Sequence, residues 1–469
     1  MTCKCTVGDA IAAMSAKFAN VNPQALLTGI CTDSRKLQSG QLFVALVGEN
    51  FDGHEFVASA IGQGAIAAVV QADRFTNNAS DLPLLMVDDT LTAYQAIASW
   101  WRQKCNLPVV AVTGSAGKTT TKELIAALLG YYTEPGKSVH KSAANYNNDI
   151  GVAQTLLAID PSQHSFVVVE MGMRGLGEIA RLARVAQPDV SVITNIGTAH
   201  IGRLGSQAAI ATAKCELLEQ TPPDGIAVLN GEDDLLMKTA GQVWHGRTLT
   251  YGLDAGDING ELQGDILCVR RVGRVGQMAW QMPIPGRHNA LNFLAALGVL
   301  QALDLDWSVT ASSSDRIENL SMPAGRSQVY HLDRDITILD ETYNASPEAT
   351  IAALHLLAST PARRRWAVLG TMKELGEMSK SLHVKVGETV RNLGIDRLLV
   401  LTDGESDAIL LGAGRDFPGA SSGSTHAELT EILLKLVEPG DRLLFKASRS
   451  IGMDLVVKEF QQAWQARSS

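Results

Sequence analysis

Cysteine is scarce in this sequence, with six in 469 residues, too few to build a disulfide framework. Cys3 and Cys5 form a C-x-C pair with no second Cys/His cluster near it in sequence, which reads as free thiols near a terminus and not as a metal site. Long apolar runs are also missing. No stretch reaches the roughly 18 residues a membrane span needs, and the most apolar helical stretch, Leu291 to Leu303, is broken by Asn292 and Gln301. No membrane partner is expected. Nor is there an excess of positive charge: 40 Lys and Arg against 49 Asp and Glu give a net charge of -9. That argues against nucleic acid as a partner, since such affinity rests largely on a basic face. Ala13-Met14-Ser15-Ala16 could pass for a signal-peptide cleavage site, but Asp9 sits where the apolar region belongs and only Lys4 precedes it. A cytoplasmic protein is expected.

At about 150 residues per domain, the length suggests two to four domains. No internal repeat or low-complexity segment is visible. Residues 1–85 mix short apolar runs with turns, as a small α/β domain does. From Leu107 an alternation of strands and helices begins: an apolar run to Thr113, a helix over Thr119 to Leu129, strands at Ser165 to Glu170 and Val190 to Asn195, and a helix over Ser206 to Gln220. Such alternation predicts a mostly parallel sheet covered on both faces. Cys268 to Pro285, with Gly273 and Gly276, reads as an inserted hairpin whose Arg270, Arg271 and Arg274 lie on a solvated face. The alternation restarts near residue 319, with strands at Ile336–Asp340, Trp366–Leu369, Arg397–Leu401 and Arg442–Phe445; Arg363-Arg364-Arg365 reads as a solvated loop. The crossovers imply a second doubly wound sheet. The fold class is therefore α/β in three domains: residues 1–85, a central parallel-sheet domain over 86–318 and a Rossmann-like domain over 319–469.

Chemistry is densest at Thr113-Gly114-Ser115-Ala116-Gly117-Lys118-Thr119-Thr120, where a strand runs into a glycine loop and then a helix. Backbone N–H groups from Gly114 to Lys118 can point at phosphate oxygens, because the glycines allow a tight turn without Cβ atoms. The helix N-terminus adds the positive end of a dipole. Lys118 reaches the β/γ-phosphates and Thr119 ligates Mg²⁺ in such a loop. The common G-x-x-x-x-G-K-[ST] pattern begins with glycine, whereas Val112 stands there in this chain. An ATP or GTP site is expected. Glu170 and His200 both follow strand ends, which gather at the ligand crevice of an open sheet. Together they could hold a divalent metal; singly, Glu170 could be a cap and His200 a hydrogen-bonded loop histidine.

T-G-S-A-G-K-T-T-T-K-E, E-M-G at Glu170, N-I-G-T-A-H-I ending past His200 and A-K-x-E around Lys214 resemble the Mur ligase family, which couples ATP to amide-bond formation in peptidoglycan precursor synthesis. The likeness covers nearly the whole chain. Thr32-Asp33-Ser34-Arg35 is similar to the family's UDP-binding N-terminal domain, and Gly286-Arg287-His288-Asn289-Ala290-Leu291-Asn292 to its adenine box. Arg326, Asp340-Glu341-Thr342-Tyr343-Asn344-Ala345-Ser346-Pro347 and Lys446-Ala447-Ser448-Arg449 resemble the motifs of its last domain. Asn145-Tyr146-Asn147-Asn148-Asp149-Ile150-Gly151 resembles the branch that joins D-Ala-D-Ala to UDP-MurNAc-tripeptide, apart from Ala153, where that branch usually has proline. The T-T-P and D-N-P-R motifs of the diaminopimelate-adding branch are absent from the sequence.

The resemblance implies ATP and Mg²⁺ as cofactors, UDP-MurNAc-tripeptide and D-Ala-D-Ala as substrates, and a monomer. It implies Thr113 to Thr120, Asn289, Arg326 and Asp340 at the nucleotide, Ser34 and Arg35 at the uridine end, and Asn145 and Asn148 at the muramoyl peptide. It also implies Tyr343, Asn344 and Arg449 near the dipeptide. Lys118, His200 and Lys214 carry the catalytic expectation, with Thr119, Glu170, His200 and a carbamylated Lys214 around the metal. Read alone, Lys214 is an exposed helical lysine near Glu216 and Glu219, Asn145 to Asn148 a turn, and Thr32 to Arg35 a cap. A folylpolyglutamate synthetase-like ligase remains a second reading, though it lacks the separate T-D-S-R domain. A regulatory P-loop ATPase that makes no bond remains a third.

Overall fold

A computed structural model describes residues 3–74, 81–271, 277–312, 317, 320 and 322–468. Gly273, Arg274, Gly276, the side chain of Arg271 and the boundary expected at 318/319 lie outside the described residues.

The first sheet orders five strands as Lys17–Ala19, Leu84–Val87, Ala67–Gln71, Gln41–Val44 and Gly29–Cys31, all parallel except the first. Leu84–Val87 runs past position 85. The helix Thr90–Cys105 that follows packs on both the first helix, Val7–Met14, and the central helices Asp149–Leu157 and Glu178–Ala186. A capping box between Thr6 and Asp9 starts Val7–Met14. Cys3 and Cys5 are free thiols, as expected, but buried in the core with their sulfurs 3.7 Å apart.

The central sheet has nine strands among the described residues, in the order Gln277–Gln281, Ile266–Arg271, Ile258–Gln263, Arg247–Gly252, Ile226–Asn230, Val190–Ile193, Val109–Thr113, His164–Glu170 and Ser138–Lys141. The last seven run parallel; the first two extend the edge as an antiparallel pair, the expected hairpin. Alternate strand residues point to opposite faces. Val109, Ala111, Val167 and Val169 join one apolar cluster, while Val110, Val112, Val168 and Val192 join another with Leu124, Leu128 and Phe293. Helices Lys118–Leu129 and Arg287–Ala302 therefore cover one face, and Asp149–Leu157, Glu178–Ala186 and Gln207–Glu219 the other.

The third sheet runs Gln328–Leu332, Ile336–Asp340, Asp441–Lys446, Arg364–Leu369, Arg397–Leu401 and Ala420–Gly423, parallel after its first strand. One expectation fails here. Arg364 and Arg365 lie inside a strand, not in a solvated loop. Arg364 donates to the fully buried Asp441 carboxylate at 3.0 and 2.7 Å, and Trp366 Nε1 donates to it at 2.9 Å. The ion pair replaces the hydration the arginine would have had in a loop.

Candidate active site

Val109–Thr113 lies between His164–Glu170 and Val190–Ile193, so the loop after it is flanked by the loops leaving both neighbours. Thr113 is buried and donates its hydroxyl to the Met171 carbonyl at 2.9 Å. Gly114 has φ +151°, and a Cβ there would fall 1.8 Å from Thr194 Oγ1. Only glycine fits. The Ser115 N–H donates to the Asn195 carbonyl at 3.0 Å, its hydroxyl oxygen accepts from the Gly197 N–H at 2.8 Å, and the Ala116 N–H donates to Asn195 Oδ1 at 2.9 Å. Gly117, at φ +79°, starts helix Lys118–Leu129 without a side-chain cap, which leaves the first-turn N–H groups of Lys118, Thr119 and Thr120 for an anion.

Lys118 folds back over this loop and donates to the Gly114 carbonyl at 2.7 Å. Burial lowers its pKa; the Glu170 carboxylate opposes that and Arg326 adds to it. Glu170 is buried, and one oxygen accepts from the Thr119 hydroxyl at 2.7 Å while the other accepts from Asn147 Nδ2 at 2.9 Å. Lys122, also buried, lies 3.8 Å from Glu170 and donates to the Ser142 carbonyl at 2.9 Å. Glu170 is thus a pinned carboxylate at the mouth of the loop. Asn147 and Lys122 were not singled out from the sequence, although Lys122 stands one helical turn beyond Lys118, which is the spacing that could have found it.

Lys214 departs from the reading of an exposed lysine. It is 2% exposed on helix Gln207–Glu219, and burial, with Lys118 nearby, holds its amine well below the ordinary lysine pKa. No hydrogen bond or ion pair joins it to another described residue. Glu216 turns elsewhere, accepting from the Gly177 and Ala180 N–H groups at 2.6 and 3.1 Å. His200 sits at φ +67°, and its Nδ1 contacts the Glu374 carboxylate of the third domain. Burial lowers its pKa against the pull of Glu374. Among the described residues no three His, Cys, Asp or Glu side chains converge as a metal cluster.

The remaining expectations divide. Asn289 is buried, donates to the Pro285 carbonyl at 2.8 Å and accepts from Asn292 at 3.3 Å. Asn292 in turn accepts from Thr121 at 3.2 Å, so the box reaches the phosphate loop through it. Arg326 stacks on Tyr343 with its guanidinium 3.8 Å from the ring centroid, and Arg449 lies 5.8 Å from the same ring. Asp340 ends a strand; its carboxylate accepts the Thr342 N–H and O–H at 3.0 and 2.6 Å, and burial raises its pKa. Asn344 is exposed, and its carbonyl accepts from Lys446 Nζ at 3.0 Å. A cavity of about 390 Å³ in the third domain is lined by Asp403, Ser424, His426 and Ser450 among others, and Arg449 is not part of its lining.

Asn148 acts as a cap, accepting the Gly151 N–H at 2.8 Å, and Asn145 is exposed in the turn before it. Ser34 opens a short 3-10 turn. Arg35 is 86% exposed and paired with Asp33 at 2.8 Å. Among the described residues no hydrogen bond or ion pair joins Ser34 or Arg35 to the phosphate loop.

Comparison with known proteins matches residues 26–128 to the Mur ligase family catalytic domain, 112–300 to the Mur ligase middle domain and 325–449 to the Mur ligase glutamate ligase domain. The chain is similar to a UDP-N-acetylmuramoyl-tripeptide--D-alanyl-D-alanine ligase of Synechocystis, with 47% identity over 94% of this chain and 93% of the relative. Among solved structures it resembles MurF of Acinetobacter baumannii, with TM-score 0.87, 28% identity, and coverage of 98% and 99% of the two chains. It also resembles a MurF ligase of Thermotoga maritima in complex with ADP, with TM-score 0.81, 29% identity, and coverage of 94% and 98%.

Proposed function

This chain belongs to the Mur ligase family, and on that premise we propose that it joins D-alanyl-D-alanine to a UDP-N-acetylmuramoyl-tripeptide with conversion of ATP to ADP and phosphate. The observation that carries the reading is the convergence of Lys118, the Thr119–Glu170 pair at 2.7 Å and the uncapped start of Lys118–Leu129 at one phosphate loop, in a chain similar along nearly its whole length to ligases of that name. The bond belongs to peptidoglycan precursor synthesis. The substrates are small molecules, and a cytoplasmic monomer fits them. Among the described residues no helix is long and apolar enough to cross a membrane.

A carboxylate is a poor electrophile, so its oxygen first attacks the γ-phosphorus of ATP; ADP leaves and an acyl phosphate remains. The amine of D-Ala-D-Ala then attacks the acyl carbon, phosphate departs, and the nitrogen loses its proton as the amide forms. Lys118 and the first-turn N–H groups hold the phosphate charge, so catalysis is largely positioning and electrostatic stabilisation. Arg326, close enough to Lys118 to lower its pKa, adds positive charge from the third domain. Ser34 and Arg35 take the uridine end, Asn145 and Asn148 the muramoyl peptide, Asn289 and Asp340 the nucleotide, and Tyr343, Asn344 and Arg449 the dipeptide. Contact between the domains keeps water from the acyl phosphate.

The donor set suits a hard cation. A buried carboxylate and a hydroxyl meet beside the loop, and Mg²⁺ typically takes one or two such protein oxygens plus phosphates and waters. Glu170 and Thr119, joined by His200 and a carbamylated Lys214, would hold Mg²⁺, which when bound neutralises phosphate charge.

The test is ADP release measured across UDP-MurNAc-tripeptide variants and several D-dipeptides. Release that requires both substrates is the expected result. Slow release indifferent to the amine would favour the regulatory ATPase reading.

A further inference from the structure

The segment carrying His200 is gripped by the third domain at several atoms. The Glu374 carboxylate contacts His200 Nδ1, its other oxygen lies 3.2 Å from Arg203 Nη2, and its carbonyl accepts the Gly202 N–H at 2.9 Å. Two residues earlier than His200, the Thr198 N–H donates to the Glu348 carboxylate at 2.8 Å. The backbones interlock closely. A Cβ on Gly202 would lie 2.5 Å from the Gly376 nitrogen and 2.9 Å from the Glu374 carbonyl, and one on Gly376 would lie 2.8 Å from the Gly202 Cα. His200 and Glu374 both hold left-handed conformations, φ +67° and +65°, which non-glycine residues adopt only where their surroundings demand it.

A surface ion pair between domains needs none of this. It asks for no paired left-handed residues, no glycine-on-glycine contact and no engagement of one particular ring nitrogen. We propose that Glu374 is a positioning residue for His200: it accepts the hydrogen bond from Nδ1–H, fixes the ring and its tautomer, and leaves Nε2 as the lone-pair nitrogen. Because the carboxylate belongs to the third domain and the histidine to the central one, the imidazole is set only while the two domains touch at Gly202 and Gly376. Carboxylates that orient a histidine through its second nitrogen are a common supporting device, and their loss typically costs about 10–100-fold in metal affinity or activity. The inference rests on the ligase reading and on His200 acting beside the nucleotide.

The test uses the full-length protein with Glu374→Gln, Gly202→Ala and Arg203→Ala. Glutamine keeps the size but removes the charge, leaving at best a neutral amide oxygen as a weaker acceptor for Nδ1–H, and alanine at 202 keeps the Glu374 carboxylate but forces its backbone away from the His200 segment. Two readouts are taken: steady-state ADP release at varied Mg²⁺, and Mn²⁺ binding to the enzyme–ADP complex by electron paramagnetic resonance. Glu374→Gln and Gly202→Ala should each lower kcat about 10–100-fold and weaken Mn²⁺ binding by a similar factor, with KM for ATP changed little. Arg203→Ala, which removes only the exposed side of the pair, should behave as wild type. Unchanged kcat and Mn²⁺ affinity in Glu374→Gln would overturn the proposal, and so would lost activity with Mn²⁺ affinity intact. Neither result touches the ligase reading, which stands or falls on whether wild-type ADP release needs the dipeptide.

Discussion

Replacing Lys214 with methionine should stabilise the ligand-free protein while removing its activity. The lysine is 2% exposed and makes no hydrogen bond or ion pair to another described residue. An unsatisfied buried polar group costs about 1–3 kcal/mol, more when charged. Methionine fills a similar volume and needs no partner. For a domain of about 150–250 residues each kcal/mol moves Tm by ~2–4 °C, so a rise of roughly 2–12 °C is expected. The pH dependence has a definite sign. Burial holds the folded-state pKa well below the ordinary 10.5, so between those two values the unfolded chain carries the extra proton. Wild-type stability therefore rises with pH across that window, and the advantage of the methionine variant shrinks. Scanning calorimetry of CO₂-depleted, nucleotide-free protein from about pH 6 to pH 9 measures both. A methionine variant that melts lower than wild type, or whose advantage does not fall with pH, would refute the reasoning. In the same variant ligase activity should vanish, because a neutral amine can take up CO₂ and release a proton to give a carbamate, and a thioether cannot. With Lys214→Ala, a small carboxylate in the buffer should restore part of the activity.

Lys118→Ala should lower ADP release by about 10²–10³-fold or more, the usual cost of losing a preorganised charge-stabilising donor, with an unchanged circular dichroism spectrum; full activity would sink the nucleotide assignment. Asp441→Ala should cost about 1–3 kcal/mol, because it leaves the Trp366 and Glu438 N–H groups without their acceptor while Arg364 keeps only Glu438 and the Leu436 carbonyl, and a wild-type urea midpoint would falsify that. Ser34→Ala combined with Arg35→Ala should raise KM for the UDP-muramoyl substrate and leave KM for ATP nearly unchanged, since uniform binding is lost at one end only. A shift in the ATP value instead would reassign the first domain.

The phosphate loop was legible because its geometry is local. Strand, glycines, lysine and helix start are contiguous, and the expected helix from Thr119 to Leu129 is observed as Lys118–Leu129. The strand Arg397–Leu401 has its expected limits, because a short β-rich apolar run between turn signals has few alternatives. Arg363 to Arg365 misled for the opposite reason. A run of like charge looks solvated until its partner is known, and that partner, Asp441, stands 77 residues away from Arg364.

By itself the sequence determined the class of sheet, the strand–glycine loop–helix unit at Val109 to Leu129 and the family, since each rests on residues within a few positions of one another or on motifs recognisable one at a time. What only the tertiary structure decided are the meetings between them. Glu170 could have been a cap; its place 51 residues from Thr119 in sequence yet 2.7 Å away in space follows from two parallel strands ending side by side. Lys214 reads as solvated on its own helix and is buried, with Lys118 of the glycine loop near its amine. His200 and Glu374, 174 residues apart, meet through a glycine contact that no local pattern encodes. Periodicity tells which face of an element is buried, but which charged group lies across that face depends on how the chain returns, and that is a property of the packed domains alone.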